Sequence, residues 1–402
     1  MRSKLSRRGL FAIAGGAPFL IPRPAAGRAP GSAGSSRPES ALPPIDAERL
    51  AQRVVRTLAP SAGERAILVF DPGYYPDLAA AIERELAASG VEPLLGLTFD
   101  PPQVVEAVQA KPGAARRQGD FVAWLSPVFA KADLFLWLPA RALYPDTRLE
   151  HLVDGSTVRG IHFHWILDFE GHGAEEIALL SRLYERTILE TDYAALSRSQ
   201  DRLIALLRGK NLHLTSPDGT DLRMLVSAEA WLHKNDGDMS KARAKTARSA
   251  RDREMELPAG ALRFIPDAAS VEGILVVRRV PMHAEEAEGV RFEFRAGKAK
   301  ISSAARGEDA VRKQWNEIGG DVDRIGEIVL GTNPLLAVSV PSGELPYFGY
   351  GAGAVRVSLG DNWESGGSNR TTGDRNWWLF LGDATLEAGG KTLIREARLL
   401  AD

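Results

Sequence analysis

The pattern of apolar residues changes once along this chain of 402 residues, near Gly209. Before that point, short apolar runs such as Ala66–Phe70 and Ala132–Leu138 alternate with stretches of helical periodicity. Strands that alternate with helices predict a mostly parallel, doubly wound α/β sheet. After that point, strand-like runs follow one another between turns rich in Gly, Pro and Asp, which predicts a β-rich α+β domain.

The same periodicity predicts individual elements on both sides of Gly209. In the first part it predicts a helix over Tyr75–Ser89, a strand over Pro93–Leu97, helices over Val104–Ala110 and Phe121–Phe129, and one long helix from Ala174 to Leu207. In the second part it predicts strands over Leu212–Thr215, Leu222–Val226, Gly273–Val280, Val290–Arg295, Val355–Leu359 and Trp377–Leu381. The stretch Lys234–Arg253 holds seven Lys or Arg against three Asp and no aromatic residue. Such a charge run favours a solvated mobile loop over a binding patch.

The N-terminal segment has the features of an export signal. A cationic start precedes a short apolar run, and Arg7-Arg8 within Ser6–Phe11 resembles the twin-arginine motif. An ordinary secretory signal with two arginines is the alternative. The chain is therefore divided into a signal peptide (1–28), a disordered linker (29–45), an α/β domain with its connecting helix (46–208) and an α+β domain (209–402). We expect a bacterial protein that folds in the cytoplasm before transport and then works in the periplasm or outside the cell, without stable membrane insertion.

Charge and cysteine content exclude several classes of function. The chain has no Cys, which excludes disulfides, thiolate metal sites and a cysteine nucleophile. Residues 1–38 hold seven Lys or Arg and no Asp or Glu, so with a net charge of −2 the rest of the chain is acidic. An acidic body argues against a nucleic-acid partner, because such binding depends largely on neutralising phosphates.

Five stretches of the second part match, in order, the motifs of one enzyme family. They are Asn211–Leu222, Leu257–Gly273, Arg324–Pro334, Gly353–Gly360 and Gly366–Asn376. This ordered set resembles the aminopeptidase T family of metallopeptidases. The resemblance implies a two-domain fold of an N-terminal doubly wound α/β domain and a β-rich α+β domain, and a homodimer. It also implies a site in which paired zinc, cobalt or manganese ions activate water for hydrolysis of peptides.

Residue by residue, most of that implied metal site is absent. Ala261 stands at the first glutamate position, whereas Glu327 is retained in its loop. Arg356 stands at the first histidine position, and Asp374 and Asn376 stand where the family has His-x-Asp. Related iron-dependent dihydroxypyridine dioxygenases use a two-His-one-carboxylate triad from the same segments, and Arg356 and Asp374 replace both of those histidines. The resemblance therefore implies a largely lost two-metal site.

The candidate catalytic or binding residues are Glu327, Arg356 and Asp374. We expect Arg356 within salt-bridge reach of Glu327 or Asp374, since a buried carboxylate needs a charged partner. One hypothesis is an exported, catalytically inactive relative that needs no cofactor and binds a peptide or small anionic ligand. A second is an active metallo-aminopeptidase in which Glu327 and Asp374 still hold a divalent ion. A third is a metal-independent hydrolase or lyase that uses the charged pocket.

A histidine cluster is the strongest metal candidate that does not depend on the resemblance. His162 and His164 lie two residues apart, and Asp168, Glu170 and His172 follow closely. On a strand, His162 and His164 would face the same side, which suits a shared metal ion. Buried or surface histidines without a metal are the alternative, which the pattern favours.

Overall fold

The computed structural model describes residues 42–98, 114–139, 147–165, 173–281, 286–340, 344–372 and 376–400. The predicted signal peptide and the predicted helix Val104–Ala110 lie outside these residues. The described helices are α1 (Ala47–Leu58), α2 (Pro76–Ala88), α3 (Ala114–Phe129), α4 (Thr147–Asp154), α5 (Ala174–Glu190), α6 (Tyr193–Leu207), α7 (Lys241–Ala244) and α8 (Glu308–Ile318). Within the described ranges, no helix is long and apolar enough to span a bilayer.

The described strands form three sheets. They are β1 (Arg65–Phe70), β2 (Glu92–Thr98), β3 (Leu134–Trp137), β4 (Arg159–Phe163), β5 (Lys210–Thr215), β6 (Asp221–Val226), β7 (Leu232–Lys234), β8 (Glu254–Leu257), β9 (Ala261–Phe264), β10 (Glu272–Pro281), β11 (Glu286–Arg295), β12 (Lys298–Ser303), β13 (Ile325–Gly331), β14 (Val355–Gly360), β15 (Asn376–Leu381), β16 (Thr385–Ala388), β17 (Lys391–Arg395) and β18 (Arg398–Leu399). Every strand predicted from the sequence is present, with its ends shifted by a few residues.

The first sheet is parallel, with strand order β2-β1-β3-β4-β8. Its central strands are continuous apolar runs because both faces are covered. Leu68 and Leu136 belong to one apolar cluster, whereas Val69 and Phe135 belong to another. The mixed α/β class is therefore confirmed.

The chain departs from the expected organisation at two points. The long helix predicted from Ala174 to Leu207 is two helices, because Asp192 caps a new one by accepting a hydrogen bond from the Ala195 backbone N–H at 2.9 Å. Strand β8 comes from the second half of the chain, yet it pairs with β4 in the first sheet. The division into domains 46–208 and 209–402 stays a prediction, and the two halves share at least this strand.

The second and third sheets are antiparallel and enclose a common core. The second has eight strands in the order β12-β11-β10-β6-β5-β16-β17-β18, and the third has the order β15-β14-β13-β9-β7. Side chains from both sheets, such as Phe292 and Trp377, form one large apolar cluster. Only one face of the third sheet contributes to this cluster, and its other face carries the candidate site.

Candidate functional site

The third sheet has one apolar and one polar face. Because side chains alternate along a strand, neighbouring residues of β9, β13 and β14 point to opposite faces. The apolar face presents Leu262, Phe264, Ile328, Leu330, Val355, Val357, Leu359, Trp377 and Leu379 to the core shared with the second sheet. The opposite face carries Arg263, Glu327, Arg356 and Ser358, and every one of these is buried. The sheet thus holds two buried faces of different chemistry.

A bulge in β13 sets the direction of Glu327. Ile325 pairs with Leu359 and Glu327 pairs with Ser358, so one extra residue, Gly326, lies between the two pairs. The bulge lets Ile325 join the apolar core while Glu327 points to the polar face. A Cβ on Gly326 would lie 2.8 Å from the Asp361 carbonyl oxygen, so this position needs glycine. Glu327 therefore lies in a strand, and its placement in a loop in the sequence analysis was wrong.

Two arginines meet the same oxygen of Glu327. Arg263 Nη1 lies 2.6 Å from Glu327 Oε1, and Arg356 Nη2 lies 2.9 Å from the same atom. Ser365 donates its hydroxyl hydrogen to Glu327 Oε2 at 3.4 Å. The ion pair expected between Arg356 and Glu327 is present. Arg263 was not among the candidate residues.

Arg263 also connects this ion pair to the end of the first sheet. Its Nη2 lies 2.5 Å from Glu256 Oε2, and Glu256 is part of β8. The Tyr350 hydroxyl donates to the same carboxylate, and Asn235 Nδ2 donates to it at 3.3 Å. The polar network therefore joins the third sheet to the carboxyl end of a parallel sheet, which is where open α/β sheets bind ligands.

Arg251 extends the network toward the surface. Its Nη1 lies 3.4 Å from Glu254 and 3.5 Å from Glu256, and its Nη2 pairs with Glu364. The Arg251 side chain is only 14% exposed. The expectation that the stretch Lys234–Arg253 is a solvated loop is therefore wrong at Arg251, because buried acids of β8 attract its guanidinium.

His162 and His164 lie beside this network, as expected for two residues on one side of a strand. Their ring centroids are 5.2 Å apart, and His162 Nδ1 lies 3.7 Å from Glu254 Oε2. Burial, with the positive charge of Arg251, lowers the pKa of His162 to about 3. Burial and the neighbouring His162 lower the pKa of His164 to about 3 as well. Both rings are therefore neutral near pH 7. Asp168, Glu170 and His172 lie outside the described residues, so the proposed metal cluster is untested.

The pKa values of the carboxylates in the network shift in different directions. Burial alone would raise the pKa of Glu327, but Arg263 and Arg356 hold it below the usual value. Burial likewise opposes ionisation of Glu256, and Arg263 and Arg251 nevertheless hold its pKa well below the usual value. Burial raises the pKa of Glu254, and Arg251 only partly offsets this. Burial together with Arg263 lowers the pKa of Arg356. Positive charge is thus least compensated at Arg356.

The described residues of this network do not fit a pair of divalent ions. Within the described residues, no three His, Asp or Glu side chains are grouped as metal ligands would be. The oxygens of Glu256 and Glu327 instead accept hydrogen bonds from guanidinium groups, which always carry positive charge and never act as ligands. The geometry suits recognition of an anion better than coordination of a cation.

Among the other predicted ligand positions, Ala261 has no donor atom. Ala261 is fully buried among apolar side chains that include Val329 and Leu257. Asp374 lies outside the described residues, and Asn376 begins β15 at the edge of the third sheet. Strand alternation was the signal that could have identified Arg263, because it lies two residues after Ala261 and so shares its face.

Comparison with solved structures identifies the fold. The structure of 2,5-dihydroxypyridine dioxygenase from Pseudomonas putida KT2440 matches with a TM-score of 0.61 at 16% sequence identity, covering 89% of this chain and 99% of that chain. Wild-type AmpT from Thermus thermophilus matches with a TM-score of 0.60 at 16% identity, covering 88% of this chain and 98% of that chain. No protein-family model and no curated protein sequence matches. AmpT is aminopeptidase T, so the likeness shows that this chain has an aminopeptidase-like fold.

Proposed function

We propose that this is an exported protein on an aminopeptidase-like fold that binds a peptide or small anionic ligand instead of carrying out two-metal hydrolysis. One observation carries the proposal: Arg263 and Arg356 both contact Oε1 of the buried Glu327. At the glutamate that is retained from the family motif, two guanidinium groups therefore supply positive charge, where the resemblance implied metal ions.

The charge at Arg356 favours an anion. Arg356 is fully buried, and its nearest described carboxylate is one that it shares with Arg263. A buried charge that shares its only partner is incompletely compensated, so the attraction of a negatively charged ligand to this point is stronger than it would be in water. Guanidinium groups bind carboxylates and phosphates with two parallel hydrogen bonds, which gives such a site its selectivity.

Metal content and activity of the purified protein test this proposal. We expect well under one tightly bound transition metal per chain and an unchanged melting temperature with a chelator, because no ion would contribute binding energy to the folded state. Incubation with zinc, cobalt or manganese should release no amino acids from short leucyl peptides. Two equivalents of metal with peptidase activity would contradict the proposal and favour the hypothesis in which Glu327 and Asp374 hold metal.

Ligand binding is tested on the same preparation by calorimetry with acetate, phosphate and short peptides at low ionic strength. We expect at least one of these anions to bind and Arg356→Gln to weaken that binding, provided that the variant folds. Turnover of a peptide or ester without added metal would instead favour a metal-independent hydrolase.

Export has a separate test that does not depend on the site. Replacing Arg7 and Arg8 with lysine should leave the precursor in the cytoplasm if the twin-arginine pathway carries it. Normal amounts of mature protein outside the cytoplasm would indicate an ordinary secretory signal.

A further inference from the structure

Beside the ion pair, β14 carries two buried polar groups that have no hydrogen-bond partner among the described residues. Within the described part of the chain, Arg356 Nε and Ser358 Oγ make no hydrogen bond. Both side chains are fully buried and both lie on the polar face of the third sheet, two residues apart. Buried polar atoms without a partner are costly, so their persistence at one place points to a group that completes them.

Aromatic side chains line this position on its more exposed side. The Arg356 guanidinium carbon lies 4.4 Å from the Trp378 ring centroid, and Trp378 pairs with Ser358 in the sheet register. The Phe348 ring lies edge-on to Trp378, with centroids 5.2 Å apart. Trp378 and Phe348 are partly exposed, whereas Arg356 and Ser358 are not. Two buried polar groups thus lie next to two partly exposed aromatic rings, a combination that small-molecule sites commonly contain.

The turn that supplies Phe348 is strained. Tyr347 and Phe348 have φ values of 45° and 57°, a left-handed conformation that aromatic residues rarely adopt. The turn is held in place because the Tyr347 hydroxyl donates to the Leu257 carbonyl at 2.5 Å and Arg356 Nη1 donates to the Phe348 carbonyl at 3.5 Å. Strain of this kind persists where surrounding contacts enforce it, commonly at ligand sites. Here it fixes the Phe348 ring opposite Trp378.

We propose that Arg356 and Ser358 bind the carboxylate of an aromatic acid whose ring packs against Trp378 and Phe348. This inference rests on the proposed anion-binding function and narrows its ligand. In this arrangement the carboxylate accepts hydrogen bonds from Arg356 Nε and from the Ser358 hydroxyl, which gives both groups a partner. The same chemistry is offered by a free arylalkanoic acid and by the C-terminus of a peptide that ends in phenylalanine.

Titration of the purified protein with 3-phenylpropanoate and with the dipeptide Ala-Phe tests this proposal, with the amide of each as the uncharged control. We expect binding of at least one acid, measured by calorimetry and by tryptophan fluorescence, and at least tenfold weaker binding of its amide. Binding of the free acid alone identifies a small-molecule site, and binding of the dipeptide alone identifies a peptide C-terminus. Either result supports the shared chemistry.

Ser358→Ala is the decisive variant because it removes a hydroxyl without a partner. A purely structural role predicts a lower melting temperature and no change in affinity, whereas the proposed role predicts an unchanged melting temperature and about tenfold weaker binding. Thr57→Val is the matched control, since Thr57 Oγ1 in α1 is also buried without a partner and lies outside this site. It should change neither quantity.

Three results would overturn the inference. The first is equal binding of acids and amides, and the second is unchanged affinity in Ser358→Ala. The third is that neither 3-phenylpropanoate nor Ala-Phe binds. If acetate binds as tightly as 3-phenylpropanoate, the aromatic part of the proposal is wrong while the anion-binding function stands.

Discussion

The two faces of the third sheet are both buried at β9, β13 and β14, but they are chemically opposite. One face presents Leu330, Val357 and Leu379 to the core that the second sheet shares. The other presents Arg263, Glu327 and Arg356 to one another and to Glu256 of β8. Apolar packing is sufficient to bury such a face, because hydrophobic burial is the main favourable contribution to folding. The polar face therefore has a role that packing alone does not explain.

The difference also shows which face the fold itself requires. A buried ion pair loses its hydration and regains most of that free energy from its partner, so its net contribution to stability is small. Removing one partner alone lowers stability much more, because the remaining charge stays buried and loses that partner. On the polar face, we therefore expect a large loss in free energy of unfolding when one member of an ion pair is replaced and a small loss when both are replaced. On the apolar face, each substitution should cost about the same whether it is made alone or with another.

The largest effect is expected from Arg356→Met. The substitution removes one of the two guanidinium groups on Glu327 and should lower the free energy of unfolding by about 3–5 kcal/mol. Chemical denaturation at pH 7 measures it. A loss below about 1 kcal/mol would show that Arg263 alone satisfies Glu327. Arg356→His should not by itself produce peptidase activity, because Ala261 still provides no ligand.

A comparable loss is expected from Leu379→Ala on the apolar face. Leu379 is fully buried, and truncation leaves a cavity that should lower the free energy of unfolding by about 2–5 kcal/mol. Because no charge is involved, the same loss should be measured at pH 7 and pH 4. A loss that depends on pH would mean that the two faces are coupled.

A smaller effect distinguishes the faces through pH. In the wild-type protein the pKa values of Glu256 and Glu327 lie below their usual range, so their stabilisation is present above about pH 4.5 and is lost as the pH falls through the folded values. In Arg263→Met, both pKa values should rise, because burial is then opposed mainly by Arg356 at Glu327 and by Arg251 at Glu256. The loss in unfolding free energy should then be smaller at pH 4 than at pH 7 by about 1–3 kcal/mol. Equal losses at both pH values would contradict the ion-pair assignment.

The smallest effect is expected from the double variant Glu327→Met with Arg356→Met. It removes a whole ion pair and leaves Arg263 paired with Glu256, so stability should stay within about 1 kcal/mol of the wild type. Binding of anionic ligands should nevertheless be lost. A large loss of stability would instead show that the polar face is needed to hold the fold together.

The sequence predicts the local elements better than the site. Continuous apolar runs such as Ala66–Phe70 identify buried strands because both of their faces are covered. The motif around Glu327 and the replacement at Arg356 identify one ion pair of the network correctly. Arg263 and Arg251 were missed because their partners, Glu256 and Glu254, come from β8, and no local pattern reveals that β8 joins a distant sheet. Tertiary pairing, which periodicity does not encode, made that part of the site unpredictable.

Strand β8 has a consequence for the order in which the protein can be completed. The first sheet receives its last strand from Glu254–Leu257, long after the ribosome has made β4, its partner. Until then β4 is an open edge, and open edges can pair with other chains. Only three residues separate β8 from β9 of the third sheet. One short segment therefore completes the first sheet and begins the strand that carries Arg263. A nascent chain released before this segment would lack the edge strand of the first sheet and both members of the Glu256–Arg263 pair, so the first sheet and the polar face of the third are completed together.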